Sequence, residues 1–299
     1  MPRAQLDLGG GRIVRHGELH TFEEYHPLQR AVVPVAALCD GVLTGVGTAV
    51  CIGAGWFLTA AHVVHGLQER GCEIRVILET DTPVSQGPQD VYGGAFEVRG
   101  IHIHPESDLA TLSVSLPASA HDEVRKLDLR LRLPEIGEAV VAVGYPHMAR
   151  DAVISMTSSA SVEWERSLSA GVGVVLDHQL ERLERPMRGF PGFETDAPTP
   201  PGTSGGPVLD SSMKVVGFVS SSSAPSETHD GWNSFVALLG PALELSVLDL
   251  SSDSSADPAT APEVRLVQLA VDGAIEFEAF DSFDVDRATG KVRYSSSTS

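Results

Sequence analysis

Between residues 31 and 245 the chain is built of short apolar runs separated by Gly, Pro and acidic turns. Val32 to Leu38, Val46 to Ile52, Trp56 to Leu58, Ile74 to Leu78, Phe96 to Ile103 and Leu109 to Val114 each have the length and residue types of a strand. A second series follows Gly137: Ala139 to Val143, Val153 to Thr157, Val172 to Leu176, Val208 to Leu209 and Val215 to Val219. The best helical spacing is in Phe235 to Leu248, and Gly240-Pro241 breaks it in the middle. Many short strands with turn signals predict an all-β sandwich or barrels, and the length suits two small barrels side by side.

The expected organisation is an N-terminal extension over 1–30, a first barrel over 31–135, a second over 136–248, and a Ser-rich linker with a small acidic C-terminal appendage over 249–299. In the appendage, Val264 to Ala270, Ile275 to Phe280 and Lys291 to Tyr294 are expected as antiparallel strands. The charged stretch Asp177 to Arg188 reads as a solvated loop or short surface helix, and Ser220 to Ser226 as a polar, flexible stretch.

Composition narrows the function classes. Forty Asp and Glu against 21 Lys and Arg give a formal charge of −19, a field that repels phosphate backbones and excludes nucleic acid as an expected partner. The apolar runs fall short of the roughly 20 residues a helix needs to cross a bilayer, so no membrane association is expected. Three cysteines, Cys39, Cys51 and Cys72, make no disulfide framework, although arithmetic leaves one pair open. With no basic start and apolar run resembling a secretory leader, the expectation is a reducing compartment and a cytoplasmic protein.

The strongest chemical signal is Pro201-Gly202-Thr203-Ser204-Gly205-Gly206-Pro207. Three glycines around one serine allow a tight turn that approaches a bound carbonyl closely. Ser204 is the candidate nucleophile, and the Gly202-Thr203-Ser204 turn is the candidate oxyanion hole, with the Gly202 and Ser204 amides as its donors. A second signal ends at His62, where an apolar strand runs into Thr59-Ala60-Ala61; a histidine fixed there can take and return a proton. The third is Asp108, which opens the apolar run Leu109 to Leu112; a carboxylate entering a core needs a partner, and an imidazole N–H suits it.

In this order, with "LTAAHVV", "SDLATLSV" and "TDAPTPPGTSGGPV", and separated by 46 and 96 residues, His62, Asp108 and Ser204 resemble the trypsin/chymotrypsin superfamily of serine proteases. The likeness is greatest to its bacterial trypsin-like and high-temperature-requirement-type branches, and it covers residues 31 to 245. It implies two packed six-stranded antiparallel β-barrels with the site in the cleft between them. Ser204 then forms an acyl-enzyme, His62 acts as general base and acid, and Asp108 orients His62. It also implies a protein or peptide substrate, with Pro198 at the pocket base and Val216, Gly217, Phe218, Val219 and Ser220 as the strand to which substrate backbone adds. Gly144-Tyr145-Pro146 resembles the second-barrel entry of the bacterial branch and equally reads as a plain turn, and Asp196 reads as a turn or capping residue.

Three departures from the family pattern matter. Val63 stands where secreted trypsins carry a cysteine after the histidine. Thr203 stands where a carboxylate would receive the new N-terminal ammonium, so although Arg12-Ile13-Val14 superficially resembles a cleavage site, that activation lacks its acceptor. Pro198 is uncharged, which favours a small or apolar P1 side chain over a basic one. The alternatives are a protease latent until a protein partner or fused regulatory domain orders its oxyanion hole, and a catalytically silent peptide-binding barrel. The His pairs 16/20, 62/65 and 102/104 lack a metal-ligand companion and no phosphate loop is present, so neither metal nor cofactor is expected.

Overall fold

The computed structural model describes residues 5–7 and 13–294 except 23–24, 54, 79–83, 86–89, 92–93, 118–119, 121–122, 147, 149–151, 154–166, 181–188, 226–230, 251–258 and 281–282. Two closed six-stranded antiparallel barrels form its body. The first comprises β1 (Val32–Cys39), β2 (Val42–Gly53), β3 (Trp56–Thr59), β4 (Glu73–Leu78), β5 (Gly94–Ile103) and β6 (Ala110–Val114). The second comprises β7 (Ala139–Gly144), β8 (Ser169–Gln179), β9 (Gly192–Thr195), β10 (Pro207–Leu209), β11 (Val215–Ser223) and β12 (Asn233–Leu238). Numbered within each barrel, the strands close in the same circular order, 1-2-3-6-5-4.

Side-chain alternation decides which face closes on itself. Val33, Val35 and Ala37 of β1 meet Ile74, Val76 and Leu78 of β4 and Ala110, Leu112 and Val114 of β6 inside the first barrel, while Ala36 and Leu38 point the other way. All six strands of the second barrel likewise fill its interior, among them Val140, Val175, Phe193, Val208, Val216 and Val236. Its outer face is buried too. Val141, Val172, Phe218, Phe235 and Ala237 join a larger cluster with Val50, Ile52 and Leu58 of the first barrel and Leu266, Val267 and Ile275 of the C-terminal region.

This double burial explains where the patterning misled. Phe235 to Leu248 is not a helix: its first part is β12, followed by a 3-10 turn at Gly240–Glu244 and a short strand, Ser246–Leu248. A strand buried on both faces is apolar throughout, so periodicity alone cannot separate it from a buried helix. The reverse error falls at Val264 to Ala270, where only Glu263–Arg265 is extended and Leu266–Val271 is helical. The missed strand β9 contributes Phe193 to the interior. Of the expected strand Val153 to Thr157, the part from residue 154 lies outside the described residues, as does 181–188 of the charged stretch.

The C-terminal region braces both barrels. Trp56 Nε1 donates to Leu248 O at 2.9 Å, Leu248 N donates to Ser113 Oγ at 2.8 Å, and Thr111 Oγ1 donates to Ser246 O. Phe277–Glu278 pairs in parallel with Leu129–Arg130, which pairs in parallel with β11. Around that strand, Arg130 donates to Asp210 and Glu278, Arg132 to Asp210 and Glu138, and Lys214 to Asp128 and Glu278. Asp210 is fully buried, and its burial opposes ionisation. The Lys214 and Ser212 amides and the two arginines nonetheless hold its carboxyl below the usual range.

The cysteines depart from the expectation of a reduced chain. Cys39 and Cys72 form a disulfide with a Cα–Cα distance of 4.5 Å, and Cys51 alone is free and buried. The physical reason is register: Leu38 pairs with Glu73, which sets the neighbouring Cys39 and Cys72 side by side across β1 and β4. Among the described residues no helix is long and apolar enough to cross a membrane.

Candidate functional site

His62 sits in a single helical turn, α1 (Ala61–Val64), that follows β3 directly. A turn this short starts with unsatisfied amides, and its N-cap, Ala60, has no side chain to satisfy them. Asp108 does so from the segment before β6: its Oδ1 accepts from His62 N at 2.9 Å and its Oδ2 lies 2.7 Å from His62 Nδ1. One carboxylate thus fixes both the main chain and the ring of the histidine. Asp108 is buried, whereas the imidazole is 31% exposed, so the pair presents one open side.

A third group holds Asp108. Ser220, 1% exposed at the core end of the polar stretch in β11, donates its hydroxyl to Asp108 Oδ2 at 2.5 Å. Sequence reasoning placed Ser220 among substrate-contacting residues and missed this bond. The available signal was a hydroxyl following five consecutive apolar or Gly positions, where a buried polar atom must find an acceptor.

From the second barrel, the turn that carries Ser204 meets the residues leading into α1. Gly205 has φ +79°, and a Cβ there would collide with Thr59 Oγ1 and lie 2.8 Å from Ala60 N, the residues that lead into α1. Only glycine permits that approach, which lays the backbone after Ser204 against Thr59 and Ala60. The Ser204 carbonyl accepts from Thr48 N at 2.8 Å, Gly205 N donates to Val219 O at 2.8 Å, and Gly206 N donates to Thr203 O at 2.8 Å.

Before the serine, Pro200 to Thr203 forms a turn in which Thr203 N donates to Pro200 O at 3.1 Å and Gly202 has φ +100°. The amide of Thr203, expected within the oxyanion turn, is therefore engaged by the chain itself. Among the described residues no backbone acceptor takes the amides of Gly202 or Ser204. Gly202 packs on the Tyr145 carbonyl, so Gly144-Tyr145-Pro146, read from sequence either as a barrel entry or as a plain turn, abuts the serine turn.

The strand expected to receive substrate backbone is already paired over its first part. Gly217 and Phe218 are paired on both sides, by β10 and by β12, and Val216 and Phe218 are fully buried, which leaves no free edge there. Gly205 and Gly206 carry the pairing on to Val219, and beyond it β11 continues to Ser223 against β12. Pro198 is buried, and beside it Thr199 Oγ1 lies 2.5 Å from Ser234 Oγ. Ser222 Oγ donates to Thr199 O at 2.7 Å, and Ser234 Oγ donates to Ala197 O at 2.9 Å. Hydroxyls thus join the segment before Ser204 to β11 and β12.

Asp196 serves structure on two fronts. Its Oδ1 accepts from Val174 N at 2.8 Å, and its Oδ2 lies 2.7 Å from His16 Nε2, which fastens the N-terminal segment to β8. Val14 is 2% exposed inside the core, and Ile13–Arg15 pairs with Gln5–Asp7. His104 accepts from Glu106 N at 3.1 Å; burial lowers its pKa despite the nearby Glu244 carboxylate. Among the described residues no group of three or more His, Cys, Asp or Glu is arranged to hold a metal.

Among solved structures, the active form of the Rv3671c protease from M. tuberculosis matches with 21% identity and a TM-score of 0.48, over 71% of this chain and 78% of that one. Deg5 matches with 21% identity and a TM-score of 0.47, over 69% and 85%. The MamO protease domain from Magnetospirillum magneticum matches with 18% identity and a TM-score of 0.48, over 72% and 95%. No match was found among curated proteins. The family model for the trypsin-like peptidase domain matches residues 47–218, more than half of the 299 residues and all of His62, Asp108 and Ser204, and the chain belongs to that family.

Proposed function

We propose that this chain is a serine endopeptidase with Ser204 as nucleophile. The observation that carries the reading is the buried Asp108, which fixes His62 by ring and main chain beside a serine turn clamped to the same barrel. In the proposed reaction Ser204 Oγ attacks the scissile carbonyl carbon while His62 Nε2 takes its proton. Asp108, accepting from Nδ1–H, holds the required tautomer and stabilises the imidazolium. The Gly202 and Ser204 amides stabilise the oxyanion. Collapse of the tetrahedral intermediate passes the proton from His62 to the leaving amine and leaves an acyl-enzyme, which water, activated by the same histidine, hydrolyses.

Substrate backbone adds as a strand along β11 beyond Val219, where the edge is open. The Ser222 to Thr199 bond, which ties the segment before Ser204 to β11, supports a small P1 side chain, in line with the uncharged Pro198. The motifs around the three site residues support a place near the bacterial trypsin-like and high-temperature-requirement-type branches. The Cys39–Cys72 bridge favours work in an oxidising compartment over the cytoplasm.

The test is intact-mass analysis of wild type and Ser204→Ala after incubation with a fluorophosphonate probe near neutral pH. An adduct on the wild type alone is the expected result. No adduct on either protein, or equal adducts on both, overturns the reading.

A further inference from the structure

Thr48 of β2 lies where the barrels meet and is fully buried, yet each of its polar groups is used. Its amide donates to Ser204 O at 2.8 Å, and its hydroxyl donates to Gly202 O at 2.8 Å. The same hydroxyl accepts from Tyr145 N at 3.1 Å, and its carbonyl accepts from Thr59 Oγ1 at 2.7 Å. The two residues whose carbonyls Thr48 holds are the two whose amides face the developing oxyanion in the proposed reaction.

We propose that Thr48 is a positioning residue that keeps the oxyanion turn in its working conformation, in place of the charged activation pair for which Thr203 provides no acceptor. The inference rests on the protease reading above. Glycine takes φ of either sign readily, so nothing intrinsic to Gly202 maintains its φ of +100°. The restraint is external. Thr203 N on Pro200 O and the Thr48 hydroxyl on Gly202 O pin the two sides of the peptide group that follows Gly202. Gly205 N on Val219 O and Thr48 N on Ser204 O pin the peptide group that follows Ser204 in the same way.

Every atom of this clamp outside the turn belongs to a barrel strand or to the segment after β7. The turn is therefore assembled by packing of the two barrels, with no new chain end required. Removing the hydroxyl leaves the Gly202 carbonyl and the Tyr145 amide, both at the barrel junction, without this partner, and the cheapest relief is rotation of the Gly202 peptide.

Thr48→Val keeps the β-branched shape and the backbone amide and deletes only the hydroxyl. Thr48→Ser restores it. The readout is covalent labelling by a fluorophosphonate, in which Ser204 Oγ bonds to phosphorus, fluoride leaves and the proton passes to His62. Its maximal rate and half-saturating concentration are measured separately, with the folded fraction checked by urea unfolding.

Loss of an oxyanion donor outright costs about 100- to 1,000-fold in rate, so a misdirected one in Thr48→Val should lower the maximal labelling rate about 10- to 100-fold. The half-saturating concentration should stay within about 3-fold, and Thr48→Ser should recover to within about 3-fold of wild type, because the probe's binding contacts and the hydroxyl bond are then respectively retained and restored. Folded Thr48→Val labelled at the wild-type rate, or Thr48→Ser as slow as Thr48→Val, overturns the inference while wild-type labelling keeps the protease reading. An unlabelled wild type overturns both. Should Thr48→Val not fold, Thr48→Cys, a weaker donor of similar size to Ser, replaces it, with the rates expected to fall in the order Thr, Ser, Cys.

Discussion

Breaking the Cys39–Cys72 bridge should cost this fold a large part of its stability. The bridge closes a loop of 33 residues that includes β2, β3 and α1 with His62. Cross-linking removes conformations from the unfolded chain, and for a loop of that size the chain-entropy relation gives about 3–4 kcal/mol at 25 °C. That is a large share of the roughly 5–15 kcal/mol that separates a typical domain from its unfolded state. In the folded protein burial pushes the Cys51 thiol up to about 12 and keeps it from attacking the bridge, and unfolding is followed at acidic pH so that the exposed thiol stays protonated. The assay is urea unfolding of wild type with and without reductant, together with the Cys39→Ser/Cys72→Ser double variant, read by far-UV circular dichroism. Iodoacetamide counting provides the control: no label on the native oxidised protein, and three after unfolding in reductant. Reduced wild type or the double variant within about 0.5 kcal/mol of the oxidised protein would refute the reasoning, since a 33-residue loop cannot be that cheap to open if the bridge exists.

Ser220→Ala removes a buried donor from Asp108 while His62 keeps both of its bonds to the carboxylate, so fluorophosphonate labelling should slow about 10-fold, the equivalent of one charge-assisted hydrogen bond at the weak end of its range; an unchanged rate would show that the bond has no part in orienting the pair. Asp210 supplies a pH dependence. Its folded pKa lies below the unfolded 3.8, so its stabilisation is fully present above about pH 4–5 and is lost as pH falls through the folded value. Asp210→Asn should therefore cost about 3–5 kcal/mol at pH 7, because Arg130 and Arg132 lose a buried counter-charge, and the cost should shrink in acid. Urea unfolding at pH 7 and pH 3 tests the sign, and a penalty that grows as pH falls would contradict it.

Much of the site was legible because its chemistry forces particular residues into particular local company. A serine among glycines, a histidine after a small-residue turn and a carboxylate opening an apolar run are local features, and their order along the chain identified the family. The strands of the first barrel were legible for a related reason: their turns are marked by Gly and charged residues, and their runs are bounded on both sides. Illegible were the relations between elements distant in sequence. Asp108 caps the His62 turn because β3 pairs with β6; nothing near residue 62 or 108 states it. The 3.6-like spacing of Phe235 to Leu248 came from a strand buried on two faces, a property of what packs on it rather than of the strand.

By itself the sequence determined the all-β class and the three candidate residues, since strand length, turn chemistry and motif content are carried by neighbouring positions; the choice of two barrels over a sandwich came from the family resemblance of those motifs. Only the tertiary structure decided that Cys39 meets Cys72, that Ser220 turns inward to Asp108, and that Thr48 grips the turn around Ser204. Each depends on strand register and barrel closure. A shift of one residue in a strand reverses its faces, so those partners are fixed by the whole packed core and by no local stretch of chain.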